Sequence, residues 1–179
     1  DLSAKDRGEV RIAFFSNDDL ERVLEVMGVK HTLLSACGPK AAAVGEALVT
    51  VSGKITEKNS GDTYVLDQAA FDAKSVELTY NDPWMGDGLK YKGILLKDLI
   101  TLVGGSGATT ITLVATDKKP FDIAVADAQQ WDIMIARWVD GTLLTTDNGG
   151  PVKVAYPDAA KVNYPDENWA WWIVRVEFK

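Results

Sequence analysis

The sequence predicts an α+β domain with mixed β-sheets. Three observations carry that expectation. About nine short stretches are rich in β-branched, aromatic or alternating apolar residues, with turn residues between them. Only three or four segments repeat apolar residues at helical spacing, and all are short. Asp140-Gly141, between Met134–Val139 and Thr142–Leu144, is a strong hairpin signal.

The elements follow in order. Near the start, Val10–Phe15 reads as a strand. A helix follows with Ser16 or Asn17 as N-cap and Asp18, Asp19 and Glu21 in its first turn, where the helix dipole favours acids. Its apolar stripe is Leu20, Val23, Leu24 and Met27, and Gly28 ends it. The Ala/Gly-rich run Leu33–Gly45 is open to three readings: helix, linker or the remnant of a leader. Leu34-Ser35-Ala36-Cys37 resembles a lipoprotein cleavage box and Ala41–Ala43 a signal-peptidase region, although Lys30 and His31 interrupt any apolar core before them. An ordinary helix or linker with a buried free cysteine is the plainer reading. Residues 1–45 are therefore expected to be an arm or leader-like segment, and residues 46–179 the domain. The leader-like run points to a periplasmic or otherwise exported protein.

From Ala47 the pattern is regular. Strands are expected at Ala47–Ile55 and Thr63–Leu66, with Asp67 capping a helix Gln68–Phe71. Val76–Tyr80 alternates as a strand. Asn81–Gly88, reading NDPWMGDG, is expected to be a loop, with a strand Leu89–Gly93 after it. Leu95, Leu96, Leu99, Ile100 and Val103 make a helical face closed by Gly104-Gly105. Thr109–Thr116 and Phe121–Ala124 are strands, Asp127–Gln130 a helical turn, and Val152–Tyr156 a strand. Trp169–Phe178 closes the chain as a strand, with Trp169, Trp171, Ile173 and Arg175 on one face and Ala170, Trp172, Val174, Val176 and Phe178 on the other.

Composition removes several function classes. The chain has 179 residues, with 19 basic against 26 acidic, a net charge of −7. No basic stripe exists to displace counterions, so nucleic acid is not an expected partner. No stretch approaches the roughly 20 apolar residues of a membrane helix, so an integral membrane protein is not expected. The single cysteine, Cys37, excludes an internal disulfide framework and a cysteine-rich metal site, and the single histidine, His31, excludes a histidine-rich one. Asp82, Asp87 and Asp158 are oxygen donors suited to a hard cation, but their spacing fits no loop motif and solvated turn carboxylates are the plainer reading. Gly104-Gly105-Ser106-Gly107 follows a helix, so it reads as a helix end and not a phosphate loop. Trp138, Trp169, Trp171 and Trp172 read first as core or sheet-face residues. Trp169 and Trp171 share the less apolar face and are alternatives for a flat ligand or a protein partner.

Several segments together resemble the molybdopterin-binding domain of the sulfite oxidase-like oxidoreductases. They are LVTVSGKI, YKGILLKDLITLVG, TLVATDKKPFDIAVADA, ARWVDGTLLTTDNGGPVKVAYP and WAWWIVRVEF, which lie from Ala47 onward. The chain is similar to a short, stand-alone bacterial branch of that family. The resemblance implies the fold, and it implies a molybdenum-ligating cysteine in the region Thr79–Trp84. This chain has no cysteine there or anywhere after Cys37, which precedes the first strand of the resembling domain. A soft thiolate is not interchangeable with Asn or Asp. The expectation is a cofactor-free binding or accessory domain whose partner is a small-molecule ligand or a protein. The alternative is a molybdopterin-dependent oxidoreductase with non-thiolate ligation. No catalytic or metal-binding residue is expected. The resemblance puts the cofactor cleft beside the NDPWMGDG loop, so Tyr80, Asn81, Asp82, Trp84 and Asp87 are the ligand-binding candidates. Asn148 in the nearby turn and Arg137, suited to an anion, complete the set. Trp84 is expected to line the cleft, with pinning of the loop as its other reading.

Overall fold

In the computed structural model, which describes residues 45–179, the first strand β1 (Val49–Gly53) is followed by β2 (Tyr64–Leu66) and helix α1 (Gln68–Lys74). A long hairpin, β3 (Val76–Asp82) and β4 (Gly86–Leu95), leads into helix α2 (Leu96–Val103). Then come β5 (Thr110–Ala115), β6 (Pro120–Ala124) and the short helix α3 (Val125–Gln130). The hairpin β7 (Met134–Val139) and β8 (Thr142–Leu143), then β9 (Lys153–Ala155) and β10 (Ile173–Phe178), complete the element order. The described residues lie within one compact unit, Ala41–Lys179. The strand and helix expected at Val10–Met27, together with His31 and Cys37, fall outside the described residues.

The strands form two five-stranded sheets. One has the order β2-β1-β10-β5-β6, with β1 parallel to β10 and every other pairing antiparallel. The other has the order β3-β4-β7-β8, with β9 also paired to β7, and is antiparallel throughout. One hydrophobic cluster draws on both sheets and the helices: Phe71, Tyr91, Leu96, Leu99, Ile111 and Phe178 are all essentially inaccessible. Fully burying one such side chain contributes about 1.5–3 kcal/mol.

Local chemistry explains the element ends. Asp67 Oδ1 accepts the Ala70 N–H at 2.9 Å, which starts α1, and its Oδ2 accepts the Gly45 N–H at 2.7 Å. These bonds, the Ala70 one first, hold its carboxyl below the usual range. Helix α2 buries Leu96, Leu99, Ile100 and Val103 at helical spacing. Gly104 ends it in the left-handed region at φ +62°, which any side chain would disfavour.

Two expectations are corrected. The NDPWMGDG segment is not one long loop. Strand β3 runs on to Asp82 and β4 begins at Gly86, so only Pro83–Met85 remains as the turn. Gly86 and Gly88, at φ +124° and +69°, carry the strand through positive-φ conformations that favour glycine. The closing strand is also shorter than Trp169–Phe178. It begins at Ile173, because Trp172 has φ +54° and the pairing with β5 shifts register between Ile173 and Arg175. The expected two-face alternation therefore fails as far as Arg175: neighbours Trp169 and Ala170 are both buried, and Ile173 is buried whereas Val174 is exposed.

Candidate functional site

Behind the turn between β3 and β4 lies a buried ion pair. Lys153, on β9, is completely inaccessible, and its Nζ stands 2.6 Å from Asp82 Oδ2. The Tyr91 hydroxyl, from β4, donates to the same oxygen at 2.5 Å. The other oxygen, Oδ1, accepts the backbone N–H groups of Trp84 at 2.8 Å and Met85 at 3.1 Å. The hairpin thus turns around its own terminal carboxylate. Three aromatic rings surround the ammonium: Trp171 at 4.8 Å, Trp169 at 5.4 Å and Tyr91 at 5.6 Å.

The protonation of this group follows from its partners. Burial alone would raise the Asp82 pKa. The bonds from Lys153, Tyr91 and the Trp84 amide outweigh it and hold the carboxyl below its ordinary range. Burial draws Lys153 below the usual lysine value, opposed by Asp82. Burial first, and then the hydrogen bond to Asp82 and its charge, push the Tyr91 hydroxyl well above the usual range, so it stays protonated and donates to the carboxylate.

On the outer side of the same tryptophans is a cleft of about 420 Å³. Its aromatic wall is Trp84, Phe121, Trp169, Trp171 and Trp172, and its charged rim is Asp117, Lys119, Asp166 and Glu167. Trp84 is 62% exposed, whereas Trp169 is nearly buried. The Trp172 indole N–H donates to the Thr146 carbonyl at 2.8 Å, which fixes that ring. Gly149, at φ +86°, lies against Trp171, and a Cβ there would sit 2.7 Å from the indole Cγ. The buried Trp169 indole N–H has no acceptor among the described residues.

Of the candidates from the sequence, Trp84 alone lines this cleft, and the others are dispersed. Trp84 is on its wall, and Asp82 lies behind it in the ion pair. The Tyr80 ring is buried and its hydroxyl donates to the Asp132 carbonyl at 2.6 Å. Asn81 bonds Asp158 at 2.7 Å and receives the Gly88 N–H at 2.9 Å, and Asp87 is exposed. Asn148 sits half-buried in the turn Thr146–Asn148. Arg137 donates to Gln68 at 2.9 Å and lines a different pocket with Glu46, Asp67 and Asp72. Asp82 is neither a solvated turn carboxylate nor a free cation ligand, since all its acceptor directions face the protein. Asp158 instead pairs with Lys161 at 2.7 Å. Sequence reasoning missed Lys153, Tyr91 and the cleft's charged rim. The one available signal was a lysine within the apolar strand run Val152–Ala155.

Residues 70–179 match the oxidoreductase molybdopterin binding domain, and the chain belongs to that family. No curated protein matches it. Among solved structures, the chain is similar to the sulfane dehydrogenase SoxCD from Paracoccus pantotrophus, with a TM-score of 0.56 and 13% identity. The match covers 77% of this chain but only 40% of that one. At that identity the likeness is one of fold.

Among the described residues, no three His, Cys, Asp or Glu side chains gather to hold a metal. The carboxylate in the region where the resemblance implies a thiolate has both oxygens engaged. The adjoining cleft presents three carboxylates against one ammonium, which disfavours an anionic phosphate-bearing pterin.

Proposed function

We propose that this domain keeps its family's fold without the cofactor chemistry and serves as a binding or accessory module, with the tryptophan-walled cleft as its ligand site. The single observation that carries the reading is the closed Asp82–Lys153–Tyr91 network. It fills the position implied for the metal ligand with an internally neutralised ion pair, leaving no donor directed at a metal. The cleft's size and its aromatic wall with a few polar groups suit a small ligand. The leader-like run Leu34–Cys37 supports placing the protein in the periplasm or another exported location.

The test is the molybdenum and pterin content of full-length protein made in a host that synthesises the cofactor. Elemental mass spectrometry and fluorescence of the oxidised pterin are expected to find neither in stoichiometric amount. About one molybdenum per chain would overturn the reading and favour a molybdopterin-dependent oxidoreductase with non-thiolate ligation.

A further inference from the structure

We infer that the ligand class of this cleft is a small organic cation, one with a quaternary or aromatic ammonium head. The inference rests on the proposal that the cleft is a ligand site, and it adds the charge and chemistry of what enters. Indole faces attract cations through their quadrupoles, and quaternary ammonium groups are recognised by clustered aromatic rings. Here Trp84, Trp171 and Trp172 supply accessible rings around one cleft. Asp117, Asp166 and Glu167 stand exposed on its rim, and none of them forms an ion pair among the described residues. The rim therefore has an excess of negative charge to offset a ligand's positive charge.

The protein itself shows how a cation is accommodated here. Lys119 places its ammonium 4.8 Å from the Phe121 ring centroid on the cleft wall, and Lys153 does the same to Trp171 from the interior. A quaternary head carries no N–H donors and is weakly hydrated, so an aromatic wall costs it less desolvation than it would a primary ammonium. A volume of about 420 Å³ admits a molecule and not a macromolecular segment of any length.

The experiment uses the full chain with its tryptophan indoles labelled for NMR. Choline is titrated against its uncharged isostere 3,3-dimethylbutan-1-ol. Choline is expected to shift the indole signals of Trp84, Trp171 and Trp172 saturably, while Trp131 and Trp138, which lie outside the cleft, stay fixed. The isostere is expected to bind at least about fivefold more weakly, the ratio a single cation–π contact supplies. Raising salt should weaken choline alone. The Asp166→Asn/Glu167→Gln variant should lose affinity for choline and keep its affinity for the alcohol. Trp84→Ala should lose both. Equal binding of the two probes, or no saturable shift with choline, would overturn the inference. Molybdenum and pterin assays on the same sample read the preceding proposal separately, because a cofactor-free protein that ignores choline fails only this inference.

Discussion

Lys153→Met tests the ion pair most directly. Both side chains are fully inaccessible, so the change leaves Asp82 charged, buried and without its counter-ion. Removing one member of such a pair typically costs about 3–5 kcal/mol. For a domain of this size that corresponds to a Tm about 9–15 °C lower, at roughly 3 °C per kcal/mol. Methionine nearly matches the lysine stem in shape, so little of the loss comes from packing. The double variant Asp82→Asn/Lys153→Met keeps an acceptor for the Trp84 and Met85 amides and removes the stranded charge. It should recover at least about 2 kcal/mol of the single-variant loss. The pH dependence gives a second readout. In the native protein the Asp82 pKa is lowered, so its contribution is fully present above the unfolded value and is lost as pH falls through the folded one. In Lys153→Met burial dominates, the folded pKa rises above the unfolded value, and protonation relieves the variant. The stability gap should therefore be widest near neutrality and narrow towards pH 4. Urea titrations read by tryptophan fluorescence at the two pH values measure this. A single-variant loss below about 1 kcal/mol, or a gap that widens in acid, would refute the reasoning.

Three other outcomes are expected. Trp84→Ala should change stability by less than about 1 kcal/mol, measured by chemical denaturation, because the ring is 62% exposed; a core tryptophan would cost about 3–5 kcal/mol. Asp67→Ala should cost about 1 kcal/mol by removing the cap of α1, read as a shift in the urea midpoint at unchanged slope. A chain beginning at Val44 should still melt cooperatively in calorimetry, since the two sheets and the cluster from Val49 to Phe178 already form a core; a broad, non-cooperative melt would make the preceding residues integral.

What was legible in the sequence was local. The Asp67 cap, the Leu-rich face of α2 and its glycine end, and the Asp140-Gly141 turn are each decided by a few consecutive residues. Asp140 and Gly141 adopt φ +46° and +76°, the backbone that this dipeptide favours in a tight hairpin. The closing segment misled for an equally physical reason. A period-two reading assumes unbroken pleat, and the positive φ at Trp172 breaks it, turning the preceding tryptophans from a sheet face into a cleft wall. The Asp82–Lys153 pair was illegible because 71 residues separate its members and neither belongs to a motif with that spacing. A lysine among valines signals a burial problem, but the sequence does not say which carboxylate solves it.

That buried pair and the exposed cleft are parts of one arrangement. Asp82 Oδ1 holds the Trp84 and Met85 amides, so the carboxylate that neutralises Lys153 also sets the turn from which the Trp84 ring projects. Lys153 in turn lies on the inner side of Trp171, whose ring is part of the cleft wall and lies against Gly149. Turn and wall are thereby fixed by contacts that need no ligand, and the wall can be aromatic without collapsing inward. A metal claiming Asp82 would have to displace Lys153 and Tyr91 at Oδ2, stranding the buried ammonium, or the Trp84 and Met85 amides at Oδ1, releasing the turn that positions Trp84. The contacts that neutralise Lys153 thus also hold the turn and the wall in place, and a ligand of the proposed kind would meet a lower ordering cost there.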